Sequence, residues 1–202
     1  MSFLSTLAIA MGSSWVSGIN LYAGVATLGL LGRFTSLKLP GEMDVLTNWW
    51  IIGTAIALYI IEFVADKVPL VDSVWDVVHT FIRVPAGAAL AAAAFGDFNH
   101  TVQVIAFLIG GSLALSSHGT KAATRAAINT SPEPVTNIAA SLVEDVVAVG
   151  SVFLAEFFPI IIIAIVIIAV IISAILLPRI IRYIRGVVTR VRRLLGGGEP
   201  AV

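Results

Sequence analysis

Apolar residues fill windows of about 20 positions along most of the chain, which is the length that an α-helix needs to cross a hydrocarbon core of about 30 Å. Six windows of this kind lie near residues 3–32, 48–64, 74–95, 102–128, 137–157 and 159–177. The last two belong to one apolar stretch about twice as long as the membrane is thick, so we expect the chain to turn near Pro159. Gly12-Ser13-Ser14 and Ser17-Gly18 interrupt the first window, which predicts a broken helix.

Two stripes of polar residues run through this apolar sequence. The first lies in the third window at positions i, i+4, i+7 and i+11: Asp72, Asp76, His79 and Arg83. The second has the same length and lies in the fourth window: His118, Lys121, Arg125 and Asn129. Residues at these spacings share one helix face, and each charge at the centre of a membrane helix costs about 2.5–3.5 kcal/mol. The two stripes therefore predict a wet or ion-paired interior.

The fifth window adds polar residues on one face, and together the windows define a candidate pathway for an ion or a polar solute. The predicted pathway residues are Asp76, His79, Arg83, His118, Lys121, Arg125, Asn137, Glu144 and Asp145. Arg83 needs a carboxylate partner, for which Glu62, Glu144 and Asp145 are the candidates by type; in the transport hypothesis Glu144 or Asp145 holds it. We expect Lys121 to attract an anionic substrate or to act as an internal counter-ion. His79 suits proton exchange because an unperturbed histidine has a pKa near 6.5. Asp72 is expected at the interface beside Asp66 and Lys67.

The composition supports a membrane protein. Hydrophobic residues make up 58% of the chain and charged residues 12%, and the mean hydropathy is +1.02. The chain has no cysteine, so disulfides and thiolate metal sites are excluded. The predicted fold is an all-α polytopic membrane bundle of about six transmembrane helices. Landmarks that recur about 90–100 residues apart also suggest a 3+3 inverted repeat, residues 3–96 and 102–178, in which the first helix of each unit is broken.

Basic residues predict the topology. Six arginines follow the last window: Arg179, Arg182, Arg185, Arg190, Arg192 and Arg193. They divide the chain into a membrane domain, residues 1–178, and a basic amphipathic tail, residues 179–202. By the positive-inside rule the C-terminus is cytoplasmic, and with six crossings the N-terminus is cytoplasmic too. We expect the tail to contact anionic lipids, although a simple topology anchor is the more economical interpretation.

Two segments of the chain resemble one family of small bacterial integral membrane proteins, known only as domain of unknown function 4126. The first comprises Glu62-Phe63-Val64-Ala65-Asp66-Lys67-Val68-Pro69, Asp72, Trp75-Asp76, His79-Thr80, Arg83 and Gly87. The second comprises His118, Lys121-Ala122, Arg125, Ser131-Pro132-Glu133-Pro134, Asn137, Ser141 and Glu144-Asp145. The resemblance implies a protein of the bacterial inner membrane, but it implies no activity.

Three classes of function remain open. A channel or secondary transporter for a small ion or small polar solute, with or without proton coupling, best explains buried charges and broken helices. A membrane scaffold or subunit would use the same charges as structural ion pairs, and a homodimer through small-residue surfaces is a further expectation. A metal-dependent intramembrane enzyme would need Asp72, Asp76 and His79 as ligands, but no catalytic motif accompanies them. No organic cofactor and no nucleic-acid partner is expected.

Overall fold

The computed structural model of the chain describes residues 2–129 and 134–194. Within these ranges it contains six α-helices, one short 3₁₀ helix (Met43–Thr47) and no strand. The α-helices are α1 (Phe3–Phe34), α2 (Trp49–Ala65), α3 (Pro69–Ala94), α4 (His100–Ile128), α5 (Pro134–Phe157) and α6 (Pro159–Leu194). The predicted all-α polytopic bundle is therefore confirmed.

Local sequence explains where several helices begin. The side chains of Ser2, Asn48 and Asn99 cap α1, α2 and α4 by accepting a backbone N–H of the first turn. Pro69 and Pro159 open α3 and α6 at a position where the missing N–H costs no hydrogen bond.

Among the described residues, five helical segments are long and apolar enough to cross a membrane, namely Phe3–Phe34, Val71–Ala94, His100–Ile128, Val135–Phe157 and Pro159–Gly186. Helix α2 is apolar but has only 17 residues, or about 25 Å, which is near the shortest span that suffices. The chain does reverse at Pro159, because Glu144 and Val147 of α5 line the same pocket as Ser173 of α6. In one continuous helix, Val147 and Ser173 would lie about 39 Å apart.

Helix α1 folds back on itself at Asn20, whose backbone angles (φ −148°, ψ 92°) are not helical. A Cβ on Gly24 would lie 2.7 Å from the Val16 side chain, whereas eight residues of straight helix span about 12 Å. We call the two halves α1a, residues 3–19, and α1b, residues 21–34. The break that the sequence predicts at Gly12–Ser14 and Ser17-Gly18 thus lies at Asn20 instead.

Both halves of α1 lead to the same end of α3. In α1a, Ser17 and Ser14 donate to the carbonyls of Arg83 and Gly87, and the Phe3 ring lies 6.0 Å from Phe95. After α1b, the backbone N–H of Glu42 donates to the Ala93 carbonyl at 2.8 Å. Helix α1 is therefore a re-entrant hairpin with its tip inside the bundle, and only α2 to α6 run from one end of the bundle to the other.

This path changes the predicted topology. Phe3 lies at the Phe95 end of the bundle, whereas α6 leaves at the opposite end, which we call the Pro69 end. The two ends of the described chain therefore lie on opposite sides, unlike in the six-crossing prediction. The inverted-repeat prediction requires a break in the first helix of each unit, which is α1 in the first unit and α4 in the second. Helix α1 is broken, but α4 is helical at each of its residues. The inverted repeat itself stays a prediction.

Helix α1 lies at the centre of the bundle and contacts all five other helices. Small residues allow α1a to pack closely between α3 and α4, and a Cβ on Gly18 would clash with Ser117 and with backbone atoms of α4. The half of the bundle near Phe95 has an apolar core that includes Ile9, Leu28 and Leu90. The predicted tail continues α6 without interruption up to Leu194, and residues 195–202 lie outside the described residues.

Candidate functional site

A cluster of buried charges fills the bundle between the Asn20 tip and the Pro69 end. It contains six carboxylates, Glu62, Asp66, Asp72, Asp76, Glu144 and Asp145, and three deeply buried basic side chains, Arg83, Lys121 and Arg125. Lys67 lies at the edge of the cluster. We call these ten residues the charge cluster. Helix periodicity explains its assembly, because the α3 and α4 members come from the two polar stripes.

Arg83 is the deepest cation of the cluster, and its side chain is 0% exposed. Its guanidinium donates to Glu62 at 2.7 Å and to Asp76 at 3.0 Å, and Nη1 lies 3.2 Å from Nδ1 of His118. Of the three acids that the sequence offers as partners of Arg83, Glu62 takes that role, because α2 packs beside this turn of α3. The hypothesis that Glu144 or Asp145 holds Arg83 is therefore wrong.

Lys121 acts as an internal counter-ion. Its ammonium lies 3.1 Å from Asp66 and 3.3 Å from Glu144, and 3.8 Å from both Glu62 and Asp76. Because four carboxylates already surround this ammonium, the geometry favours the counter-ion hypothesis over capture of an anionic substrate.

Arg125 connects α4 to α5. It binds both carboxylate oxygens of Glu144, at 3.0 and 2.8 Å, and donates to the backbone carbonyl and the side-chain oxygen of Asn137. Asp72 lies 3.9 Å from Arg125 and is fully buried. Asp72 was expected at the membrane interface, but the first turns of α3 pack against α4, so its carboxylate belongs to the interior.

The Asn20 break joins α1 to the charge cluster. The Asn20 amide donates to Asp145 at 3.0 Å, while its oxygen accepts the backbone N–H of Ala23 and so caps α1b. Lys121 donates to the carbonyl of Ile19, which the break frees from helical bonding. At the break, a side chain of the cluster thus forms a hydrogen bond with a backbone carbonyl for which lipid hydrocarbon offers no partner.

Lys67 lies in the connection between α2 and α3, outside the membrane-spanning segments. Its ammonium donates to the Phe63 carbonyl at 2.7 Å, lies over the Phe63 ring and is 3.4 Å from the Ser141 hydroxyl. Partial burial lowers the pKa of Lys67 from its usual value, and the nearby acids Asp145 and Asp66 oppose that effect.

Five carboxylates of the cluster each have one buried oxygen to which no described residue donates a hydrogen bond. These are Glu62 Oε2, Asp66 Oδ1, Asp72 Oδ1, Asp76 Oδ2 and Asp145 Oδ2. A buried acceptor without a donor costs free energy that a proton or a cation would recover.

The structure brings all nine predicted pathway residues into or against this cluster. The sequence did not indicate that Asn20, Tyr22 and Thr80 also belong there, since each is a single polar residue in apolar or mixed sequence. The three candidate metal ligands do not converge. Asp76 pairs with Arg83 and His79 bonds to Tyr22, and no group of three histidine or acidic side chains among the described residues could hold a metal ion.

Residues 7–179 match the sequence profile described as "Domain of unknown function (DUF4126)". The chain belongs to the DUF4126 family. No curated protein and no solved structure shows a significant match to it. The matched range contains the whole charge cluster and all but the first four residues of the re-entrant helix. Because the family has no assigned activity, function has to be inferred from the site itself.

Proposed function

We propose that this DUF4126 protein is a channel or secondary transporter for a small cation, and that the cation passes through the charge cluster. The observation that carries the proposal is the excess of acid in the interior. Six carboxylates face four basic side chains when Lys67 is included, which gives the cluster a formal charge of −2. Buried charge of one sign favours an ion of the opposite sign, so the excess supports a proton or another small cation.

The re-entrant helix supports the same function. Broken helices inside a membrane are tolerated where they are buried in protein or line a water-filled cavity, and secondary transporters build midplane sites from them. Here the tip, residues 19–22, contacts Lys121, Asp145 and His79. A movement of this tip would change the surroundings of the charge cluster directly.

The groove beside the start of α1b suggests where such a movement occurs. Helix α1a is held through glycines and serines against α3 and α4. Helix α1b also packs closely further along, where a Cβ on Gly29 would meet Leu46 and Ile52, but at its start Leu21, Tyr22 and Val25 line a groove of about 550 Å³ between α1b, α2 and α3. In the proposed mechanism α1b swings about Asn20 and opens the cluster towards the Phe95 end.

Basic residues orient the proposed pathway. Lys67, Arg179, Arg182 and Arg185 lie at or beyond the Pro69 end, which we therefore place in the cytoplasm of a bacterial inner membrane. Arg33 and Lys38 lie at the other end and are fewer. Binding of anionic lipids by the arginines of α6 is part of this proposal.

The test is cation flux into liposomes that contain the purified protein, with currents and internal pH recorded for H⁺, Na⁺ and K⁺. Asp145→Asn removes one charge at the tip but keeps the size of a side chain that accepts a hydrogen bond from the Asn20 amide. Glu156→Gln is the matched control, since Glu156 lies on the same helix about three turns away and outside the cluster. We expect flux in the wild type and in Glu156→Gln and its loss in Asp145→Asn. Background flux in all three proteins would refute the proposal.

The alternative function is a membrane scaffold in which the charges only join helices. The contacts of Lys121 and Arg125 favour it, since each cation binds acids that arise from different helices. On this hypothesis, neutral substitutions weaken assembly and no protein of the series transports cations. Flux in the wild type separates the two hypotheses.

A further inference from the structure

Two histidines lie against the charge cluster, and their hydrogen bonds differ in a way that fixes the chemistry of each. His79 comes from α3 and His118 from α4, and both are buried. The third histidine of the chain, His100, is exposed at the start of α4. Because arginine and ammonium groups only donate and carbonyls only accept, the neighbours of each ring nitrogen show whether it carries a proton.

His118 is held as a neutral ring. Its Nδ1 lies 3.2 Å from Arg83 Nη1, which can only donate, so Nδ1 accepts with its lone pair. Its Nε2 lies 2.7 Å from the Thr80 hydroxyl, which already donates to the carbonyl of Asp76, so Nε2 donates. A second proton would have to enter at Nδ1, where it would point at the guanidinium.

His79 has the opposite arrangement and a nitrogen that can accept a proton. Its Nδ1 lies 2.9 Å from the Trp75 carbonyl, which only accepts, so Nδ1 carries the hydrogen. Its Nε2 lies 3.1 Å from the phenol oxygen of Tyr22. A phenol both donates and accepts, so an added proton on Nε2 finds an acceptor in place once the hydroxyl rotates.

The rings around His79 also suit a positive charge. The Trp75 ring stacks on the imidazole with 4.3 Å between centroids, and such a face attracts an imidazolium. Tyr22 meets the ring edge-on at 5.7 Å. Burial opposes an added charge on His79, as do Arg83 and, from α4, Lys121, while the Trp75 carbonyl and Asp76 of the same helix favour it. From α2, Glu62 faces the Tyr22 phenol.

We propose that His79 is the proton-binding site of this protein, that Tyr22 delivers the proton, and that His118 stays neutral. The proposal names the cation of the proposed function as H⁺ and rests on that function only for its role in transport. In the step itself, a hydronium ion that reaches the Tyr22 oxygen gives it a proton as the phenol's own proton passes to Nε2. The products are water, neutral Tyr22 and an imidazolium at His79.

The experiment is ¹⁵N NMR of histidine-labelled protein in lipid nanodiscs, recorded from about pH 8 to about pH 5, around the ordinary histidine range. His79→Gln and His118→Gln assign the signals, and exposed His100 serves as the internal standard. At high pH we expect His79 protonated on Nδ1 and His118 on Nε2. On acidification His79 should become an imidazolium while His118 keeps its neutral signals. A titrating His118, or a His79 that stays neutral throughout, overturns the proposal.

Tyr22→Phe tests the delivery step without removing the histidine. A charge-assisted hydrogen bond is about twice as strong as a neutral one, so loss of the phenol penalises the imidazolium more than the neutral ring. The imidazolium should therefore appear at a pH lower by about one unit. An unchanged titration would show that Tyr22 is not the acceptor. Because NMR needs no flux, titration of His79 without transport would refute the proposed function alone, and transport without titration would refute this site alone.

Discussion

Arg83→Met is the substitution whose cost the structure defines best. Methionine keeps an unbranched apolar chain of similar length but removes the guanidinium from Glu62, 2.7 Å away, and from Asp76, 3.0 Å away. At an effective dielectric constant of about 20, each pair contributes roughly 4 kcal/mol of attraction, most of which offsets desolvation. Removing this cation leaves the two buried carboxylates with the more distant Lys121 ammonium, 3.8 Å from each and shared with Asp66 and Glu144, so we expect the free energy of unfolding to fall by about 3–5 kcal/mol.

The assay is reversible unfolding in mixed micelles with increasing sodium dodecyl sulfate. Arg179→Met is the control, because Arg179 is exposed on α6, and its expected change is within about 0.5 kcal/mol. Adding Glu62→Gln and Asp76→Asn to Arg83→Met removes the uncompensated charges, so the triple variant should regain at least half of the lost stability. A single variant that loses less than about 1 kcal/mol, or a triple variant no more stable than the single, would refute the reasoning.

Two further predictions test the fold. Gly18→Ala should lower the free energy of unfolding by about 1–3 kcal/mol, because the added Cβ would overlap α4. The control Gly150→Ala, whose Cβ would meet open space, should not destabilise the protein. The same micelle titration measures both variants. Because the natural chain has no cysteine, Ser2→Cys and Ser36→Cys report the two ends of α1. An impermeant maleimide should label the Ser2→Cys and Ser36→Cys variants from one side of the membrane and the Tyr183→Cys variant from the other. Labelling of Ser2→Cys and Ser36→Cys from opposite sides would contradict the re-entrant hairpin.

The polar stripes could be predicted from sequence because helix geometry is local. Asp72, Asp76 and Arg83 share a face whatever the fold, and the cost of burying charge in hydrocarbon requires that face to meet other polar groups. This argument predicts that a cluster forms and which residues of α3 and α4 enter it. It does not predict which acid pairs with which cation, because that depends on how α2 and α5 pack.

The re-entrant helix could not be predicted for a different reason. Length and apolar composition are the main signals for a membrane crossing, and α1 has both. The glycines and serines that seemed to mark the break instead allow close packing, as Ser14 and Ser17 bond to carbonyls of α3. The true break rests on one residue, Asn20, whose capping of Ala23 and contact with Asp145 become visible only when α5 is in place.

The triple variant also separates the two functional hypotheses. Replacing a buried ion pair by neutral groups of similar size often leaves stability unchanged, so stability alone does not explain why a membrane interior holds Arg83, Glu62 and Asp76. If the charges only join helices, a triple variant that folds and assembles like the wild type keeps the full function of the cluster. If they carry a cation, the wild type shows flux and the same variant is a stable protein without it. Measuring stability and flux for both proteins therefore distinguishes a structural from a transporting cluster, whichever ion is moved.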